Sequence, residues 1–305
     1  MQRKETAMKL LIGSRGSKLA LTQTEQVAAS IRAANPGLAT EIIVIKTQGD
    51  LILDKPLNEL GSKGVFVREI EEALLSGQID LAVHSLKDLP AEQPPGLTLA
   101  VTPRREDPRD FLVCFGGEKC LADLAPNSVI ATGSLRRIGQ LQALRPDITC
   151  APMRGNVETR LRKAKEQGLQ GVLLAAAGLS RLGLIDKIAG FALEPQDMLP
   201  APAQGILGLE TRADDTATQK LLLPLHDEVS HRQMLAERAF LKFTEGGCHA
   251  PIGAYCEISN ASFTLCGFFQ TDRGLHRKTI SGRYGEEAAA GAKLAQNIKE
   301  MIANE

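Results

Sequence analysis

The feature that most constrains the fold of this chain is an alternation of short apolar runs with amphipathic stretches that breaks off at a charged, proline-marked segment and then starts again. Leu10-Leu11-Ile12 reads as a buried strand, and residues 17–34 as a helix stopped by Asn35-Pro36-Gly37. Strands follow at 41–45, 79–83 and 97–101, with a helix over 66–76. Such alternation implies a parallel or mixed sheet with helices on its faces. Residues 103–110 interrupt it. The pattern resumes with strands at 129–131, 148–151 and 171–175, and helices at 135–144, 157–167 and just after 175. Residues 195–205, with prolines at 195, 200 and 202, are expected to cross back, so that the run 206–210 rejoins the first sheet. Two crossings between two α/β units make a cleft with a double hinge.

The last part of the chain differs. A helix over 228–243 leads to Glu245-Gly246-Gly247-Cys248-His249-Ala250-Pro251, then strands at 252–258, 262–269 and 278–284 and a helix from 286. The expected fold class is therefore α/β: two hinged α/β domains (8–103 with 204–222, and 109–199) plus a small α+β C-terminal domain (227–305). At 305 residues the chain is too long for one core.

Charge limits the partners. Lys+Arg and Asp+Glu are both 36, so no global basic field exists to bind nucleic acid or an anionic membrane. The six cysteines form no C-x-x-C pair and the histidines are scattered, so neither a metal site nor a disulfide framework is expected, and reduced thiols suit a cytoplasmic protein. No signal peptide or membrane-length apolar run is read.

Ten of the 20 arginines lie between 104 and 181, with only three lysines among them. A preference for arginine suits planar, bidentate recognition of carboxylate or phosphate. Arg145 and Arg162 read as surface ion-pair residues. Gly13-Ser14-Arg15-Gly16-Ser17, Thr132-Gly133-Ser134-Leu135-Arg136-Arg137 and Arg154-Gly155-Asn156 each place a glycine, a capping residue and an arginine where a strand ends and a helix begins. Free N–H groups and the helix dipole make each junction an anion site. Three such sites on one cleft imply a ligand with several anionic groups. Asp88, in His84-Ser85-Leu86-Lys87-Asp88-Leu89-Pro90, is the acid at the third strand's end: either a turn cap, or a carboxylate held ionised among cations that stabilises positive charge or shuttles a proton. Cys114, Cys256 and Cys266 lie in strand-like runs and read as structural, whereas Cys248, among small and turn-forming neighbours, reads equally as a structural or a reactive thiol.

These residues, with Lys63-Gly64-Val65-Phe66, Arg105-Glu106-Asp107-Pro108-Arg109-Asp110, Val157-Glu158-Thr159-Arg160 and Ala176-Ala177-Gly178-Leu179-Ser180-Arg181, resemble the porphobilinogen deaminase (hydroxymethylbilane synthase) family, in order over nearly the whole chain. The resemblance implies three domains, two similar to type II periplasmic binding proteins, and a covalent dipyrromethane cofactor. It also implies a transferase reaction: four porphobilinogens joined head to tail with loss of ammonia, and release of hydroxymethylbilane for tetrapyrrole biosynthesis. Cys248 matches the cofactor-attachment cysteine and Asp88 the catalytic acid. Arg15, Ser17, Lys63, Phe66, Ser85, Lys87, Ser134, Arg136, Arg137, Arg154, Arg160, Arg181 and Gln204 match cofactor- and substrate-binding positions. The partners implied are the small molecule porphobilinogen and the next enzyme of the pathway, which takes the product from a monomer. The chain departs from common family residues at Gly133, Gln48, Glu59 and His249. The alternative is a non-catalytic small-anion-binding module of the periplasmic-binding type, which would leave the third domain and its cysteine without a purpose.

Overall fold

A computed structural model describes residues 9–47, 67–244 and 251–304. Strand β1 (Lys9–Arg15) enters helix α1 (Lys18–Ala34), which Ser17 caps by accepting from Ala20 N at 3.3 Å. β2 (Ala39–Ile45), α2 (Arg68–Leu75), β3 (Leu81–Ser85) and β4 (Leu97–Val101) follow. The chain then crosses to β5 (Asp110–Cys114), β6 (Val129–Ala131), α3 (Leu135–Leu144), β7 (Thr149–Ala151), α4 (Val157–Glu166), β8 (Gly171–Ala175), α5 (Ala176–Arg181) and β9 (Gly190–Leu193). It returns as β10 (Leu207–Arg212) and α6 (Thr216–Leu222). It closes with α7 (Glu228–Thr244), β11 (Ile252–Ser259), β12 (Ser262–Thr271), β13 (Gly274–Arg283) and α8 (Glu287–Ala303).

The first sheet has the order β2-β1-β3-β10-β4 and the second β7-β6-β8-β5-β9. In the first, β1 lies parallel to β2 and β3, and β10 is antiparallel to both its neighbours. In the second, β6 lies parallel to β7 and β8, and β5 is antiparallel to both its neighbours. The run after the second crossover thus rejoins the first sheet as expected, and it does so inside the sheet. Each crossover ends in the antiparallel fourth strand of its sheet, so the two crossovers lie side by side. Arg105 Nε donates to Gln204 O at 2.9 Å and Gln204 Nε2 to Pro108 O at 2.8 Å. Gly205 adopts φ +89°, and a Cβ there would sit 2.4 Å from Glu106 O, so this close approach requires glycine.

The third sheet, β11-β12-β13, is antiparallel and buries one face against α7 and α8 around Phe240, Phe263, Leu265 and Leu294. Glu237 of α7 ties it to the crossovers. Its fully buried carboxylate accepts from Arg105 Nη1 at 2.7 Å, Ala203 N at 2.6 Å and Cys256 N at 2.8 Å. Ala203 has φ +60°, a left-handed conformation costly for a residue with a Cβ, and the bond to Glu237 holds it there.

Candidate functional site

The site lies where parallel strands of both sheets end, the position at which open α/β sheets place ligands. From the first sheet come Arg15 at the end of β1, Ser17 at the cap of α1 and Ser85 at the end of β3, which leads directly into a 3-10 turn over Leu86–Asp88. The second sheet supplies Arg136 and Arg137 in the first turn of α3, and Arg154 and Arg160 around the start of α4. Asn156 caps α4 by accepting from Thr159 N at 2.8 Å. Ser134 stands at the cap of α3, but its hydroxyl makes no bond into the helix, unlike the capping role expected of it. The two rims meet at an ion pair between Lys18 and Glu158, each in the first turn of its helix.

A carboxylate that sequence reasoning did not single out organises the middle of the site. Asp110, fully buried at the start of β5, accepts from Arg136 Nη1 at 2.6 Å, Arg137 Nη2 at 2.7 Å and Gln204 Nε2 at 3.0 Å. The two guanidinium groups beside it hold its carboxyl well below the usual range, overriding the opposing effect of burial. Arg136 also donates to Leu199 O at 2.7 Å and Arg137 to Leu173 O at 2.9 Å. Both arginines therefore reach the cleft already oriented, each with N–H donors left over from its five. Asp110→Asn should cost about 3–5 kcal/mol of stability, because two buried cations lose their partner. The carboxyl is depressed in the folded state, so its stabilisation is complete above its unfolded value near 4 and fades as pH falls below it. Denaturant unfolding at pH 7 and at acid pH checks this: the gap between parent and variant should narrow only in acid.

Lys87 and Arg160 are the cations not so neutralised. Lys87 Nζ approaches Gln204 Oε1 at 3.4 Å, and its electrostatic neighbours are Asp88, Arg137, Asp110 and Arg136. Burial pushes its ammonium down to about 8, with Asp88 opposing the shift. Arg160, which donates to Gly155 O at 2.7 Å, is likewise lowered by burial, with Arg137 and Arg154 adding to the effect and Asp88 opposing it. Asp88 itself is exposed at the surface of this cluster. Lys87, Asp88, Arg136, Arg137, Arg154, Arg160 and Gln204 are thus brought together.

Arg181 is placed differently. Its Nη2 donates to Gly205 O at 2.7 Å, its charged neighbour is Glu106, and it lines a groove of about 540 Å³ with Val27, Arg104 and Leu225. Ser85 faces Gln23, whose Nε2 donates to its hydroxyl at 3.1 Å. Cys248, Lys63 and Phe66, and the departures Gln48, Glu59 and His249, lie outside the described residues. Gly133 is described: a Cβ there would sit 3.2 Å from Met153 O, so the loop entering α3 packs closer to its neighbour than a hydroxyl residue would comfortably allow. Burial raises the thiols of Cys114, to about 12, and of Cys256. Cys266 accepts from Arg277 Nε at 3.1 Å. Arg162 forms an exposed pair with Glu166, and Arg145 pairs with Asp147.

The donor set tests whether an oligocarboxylate such as dipyrromethane fits. Among the described residues five cations gather around two carboxylates, one of them committed to Arg136 and Arg137, and burial disfavours the charged forms of Lys87 and Arg160. Anionic oxygens would restore what burial took away, so the group fits. Among the described residues no cluster of three or more metal-ligating side chains occurs, and no helix is long and apolar enough to cross a membrane.

The likeness to solved structures is remote: the methionine-binding protein MetQ matches with a TM-score of 0.46 at 14% identity, covering 74% of this chain and 93% of that one. The sequence is far more informative. A chain from Roseiflexus castenholzii named porphobilinogen deaminase is 48% identical over 95% of each chain. One of the same name from Clostridioides difficile is 45% identical over 97% of this chain and 99% of its own. Two family models match, "Porphobilinogen deaminase, dipyromethane cofactor binding domain" over residues 10–220 and "Porphobilinogen deaminase, C-terminal domain" over residues 231–301. With both parts matched in order, and a cation-rich cleft between its two mixed sheets, the chain belongs to the porphobilinogen deaminase family.

Proposed function

We propose that this cleft joins four porphobilinogens head to tail, with Asp88 as the catalytic carboxylate and Cys248 as the attachment point of the dipyrromethane. The observation that carries the reading is the exposed carboxylate of Asp88 within the field of Lys87 and Arg160. Of the two carboxylates described there, Asp110 is saturated by three partners and cannot take up a proton at working pH. Proton work falls to Asp88.

When bound, the dipyrromethane supplies the pyrrole α-carbon from which the chain is started. Lys87, Arg15, Arg154 and Arg160, with the N-termini of α1 and α4 and the residual donors of Arg136 and Arg137, bind the acetate and propionate of each incoming pyrrole. In each addition the aminomethyl group of porphobilinogen, protonated as its ammonium, breaks its C–N bond and ammonia leaves with the electron pair. The positive charge left on the substrate spreads to its ring N–H, which a carboxylate can bind and stabilise. A C–C bond then forms, and the proton displaced from the ring carbon passes to Asp88. We also propose a monomeric, cytoplasmic enzyme that binds no nucleic acid and hands its product to the next enzyme; the cations named all come from one chain, and its charges balance.

An intact-mass spectrum of the purified protein tests the reading. A mass above that of the bare chain by one dipyrromethane is expected, and the bare mass would return the chain to the anion-binding alternative. Lys87 gives a second, kinetic test. Its ammonium titrates near 8, and bound carboxylates favour the charged form, so affinity should be flat below that pH and fall as pH rises beyond it. KM for porphobilinogen should therefore climb in alkaline solution, with the carboxylates of the bound dipyrromethane holding the onset above about 8. Lys87→Arg should flatten the rise; an unchanged pH profile in that variant would assign the titration to another group.

A further inference from the structure

Helix α7 reaches the site by a route that the chemistry above does not use. Arg238, in its middle, is 6% exposed and donates from Nη1 to Leu89 O at 3.3 Å, and from Nη2 to Pro90 O at 2.6 Å and Ala91 O at 2.9 Å. These are the three carbonyls that follow Asp88. Within the segment itself Leu89 N donates to Leu86 O, Pro90 has no N–H to give, and Pro90 O also accepts from Gln93 Nε2 at 3.4 Å, so Arg238 is the donor that spans all three carbonyls. Buried carbonyls require donors, and a guanidinium fork presents several in one plane. Met234, one turn earlier on the same face of α7, packs with Leu86 and Leu89 in one apolar cluster that also holds Val67 and Ile206. The inner side of the Asp88 turn is thus fixed by α7, and its outer side carries the carboxylate into the cleft.

From these contacts we infer that Arg238 is a positioning residue for the reaction, clamping the backbone after Asp88 so that the carboxylate stands at a fixed distance from the reacting pyrroles. The inference rests on the assignment of Asp88 above. Helix α7 ends at Thr244, four residues before Cys248, so one rigid element precedes the primer's attachment and also anchors the acid. A carboxylate must sit about 3 Å from the N–H it serves, and a misplacement of 1 Å from afar can cost about a hundredfold in rate.

The test uses Arg238→Met, which keeps the apolar stem and removes the fork, and Arg238→Lys, which keeps the charge and loses the plane. Rates are measured per molecule that carries its primer by intact mass and is folded by circular dichroism. For Arg238→Met we expect kcat to fall by about 10- to 100-fold with KM for porphobilinogen within about threefold. Millimolar guanidinium ion should restore part of the rate, while equal sodium chloride should not. Arg238→Lys should fall between, and it carries the test alone if the methionine variant does not fold. Because Arg238 acts through Asp88, adding Arg238→Met or Arg238→Lys to Asp88→Asn should slow it little further. A kcat within threefold of the parent in the loaded variant, or fully additive losses in the double variant, would overturn the proposal. If Asp88→Asn alone turns over at the parent rate, the assignment of Asp88 fails instead.

Discussion

Asp88→Asn is expected to fold, to carry its dipyrromethane and to turn over about 10² to 10⁴ times more slowly than the parent, the range that general acid–base groups contribute. The substitution keeps the shape and the local hydrogen bonding of a residue exposed at the end of a short turn, so stability should change little. What it removes is, among the described residues, the carboxylate beside Lys87 and Arg160 that is not already shared between Arg136 and Arg137. With amide in place of carboxylate, the cation left after ammonia departs faces Lys87 and Arg160 without the counter-charge of Asp88, and the displaced proton loses that acceptor. Loss should therefore appear in kcat, with KM for the dicarboxylate porphobilinogen largely kept. Steady-state turnover of the loaded variant decides it: a rate within a few-fold of the parent would leave Asp88 as a turn residue and move the proton work elsewhere.

Cys248→Ala should yield protein of bare chain mass and no measurable turnover, since without the thiol the primer has no covalent anchor. It should also melt lower than the parent. The cations of the cleft, Lys87 and Arg160 above all, are partly desolvated and gain from a bound polyanion, so a group that occupies them only in the native state adds to stability. Added di- or tricarboxylates should recover part of the lost melting temperature, and they should do so less well at high salt. Extra mass retained in Cys248→Ala, or found on a peptide containing another cysteine, would overturn the attachment. Burial already argues against Cys114 and Cys256, whose thiols it pushes up.

Much of this was legible because it is local. Strand, cap and arginine adjoin in sequence at Arg15-Gly16-Ser17 and Arg154-Gly155-Asn156, and both caps form as the residues suggest. What escaped depends on distance along the chain. Asp110 is 26 residues from Arg136, and nothing in Asp110-Phe111-Leu112-Val113-Cys114 distinguishes a site carboxylate from the polar start of a buried strand. Arg136 and Arg137 consequently read as cations awaiting a ligand, although each is already bound on one side. Arg238 carried no signal of its own within the helix over 228–243, because its acceptors are backbone carbonyls about 148 residues away. β9 and α6 also went unread: β9 has four residues, and α6 is a seven-residue helix whose start is marked by Asp215, which caps it by accepting from Thr218 N.

The insertion of β10 between β3 and β4 has a consequence for how the chain is made. β4 pairs with no strand but β10 among the described residues, so when the ribosome has released residues 9–101 the first sheet still lacks the strand that joins its two parts. The second sheet is continuous in sequence from β5 to β9 and can close while the first waits. During synthesis the first sheet stands with the edges of β3 and β4 bare for more than a hundred residues of elongation, roughly 5 to 20 seconds at about 5–20 residues per second. Open strand edges invite pairing with other chains. The nascent protein is thus most exposed to aggregation, and most in need of a chaperone, in the interval that ends when Leu207–Arg212 emerges.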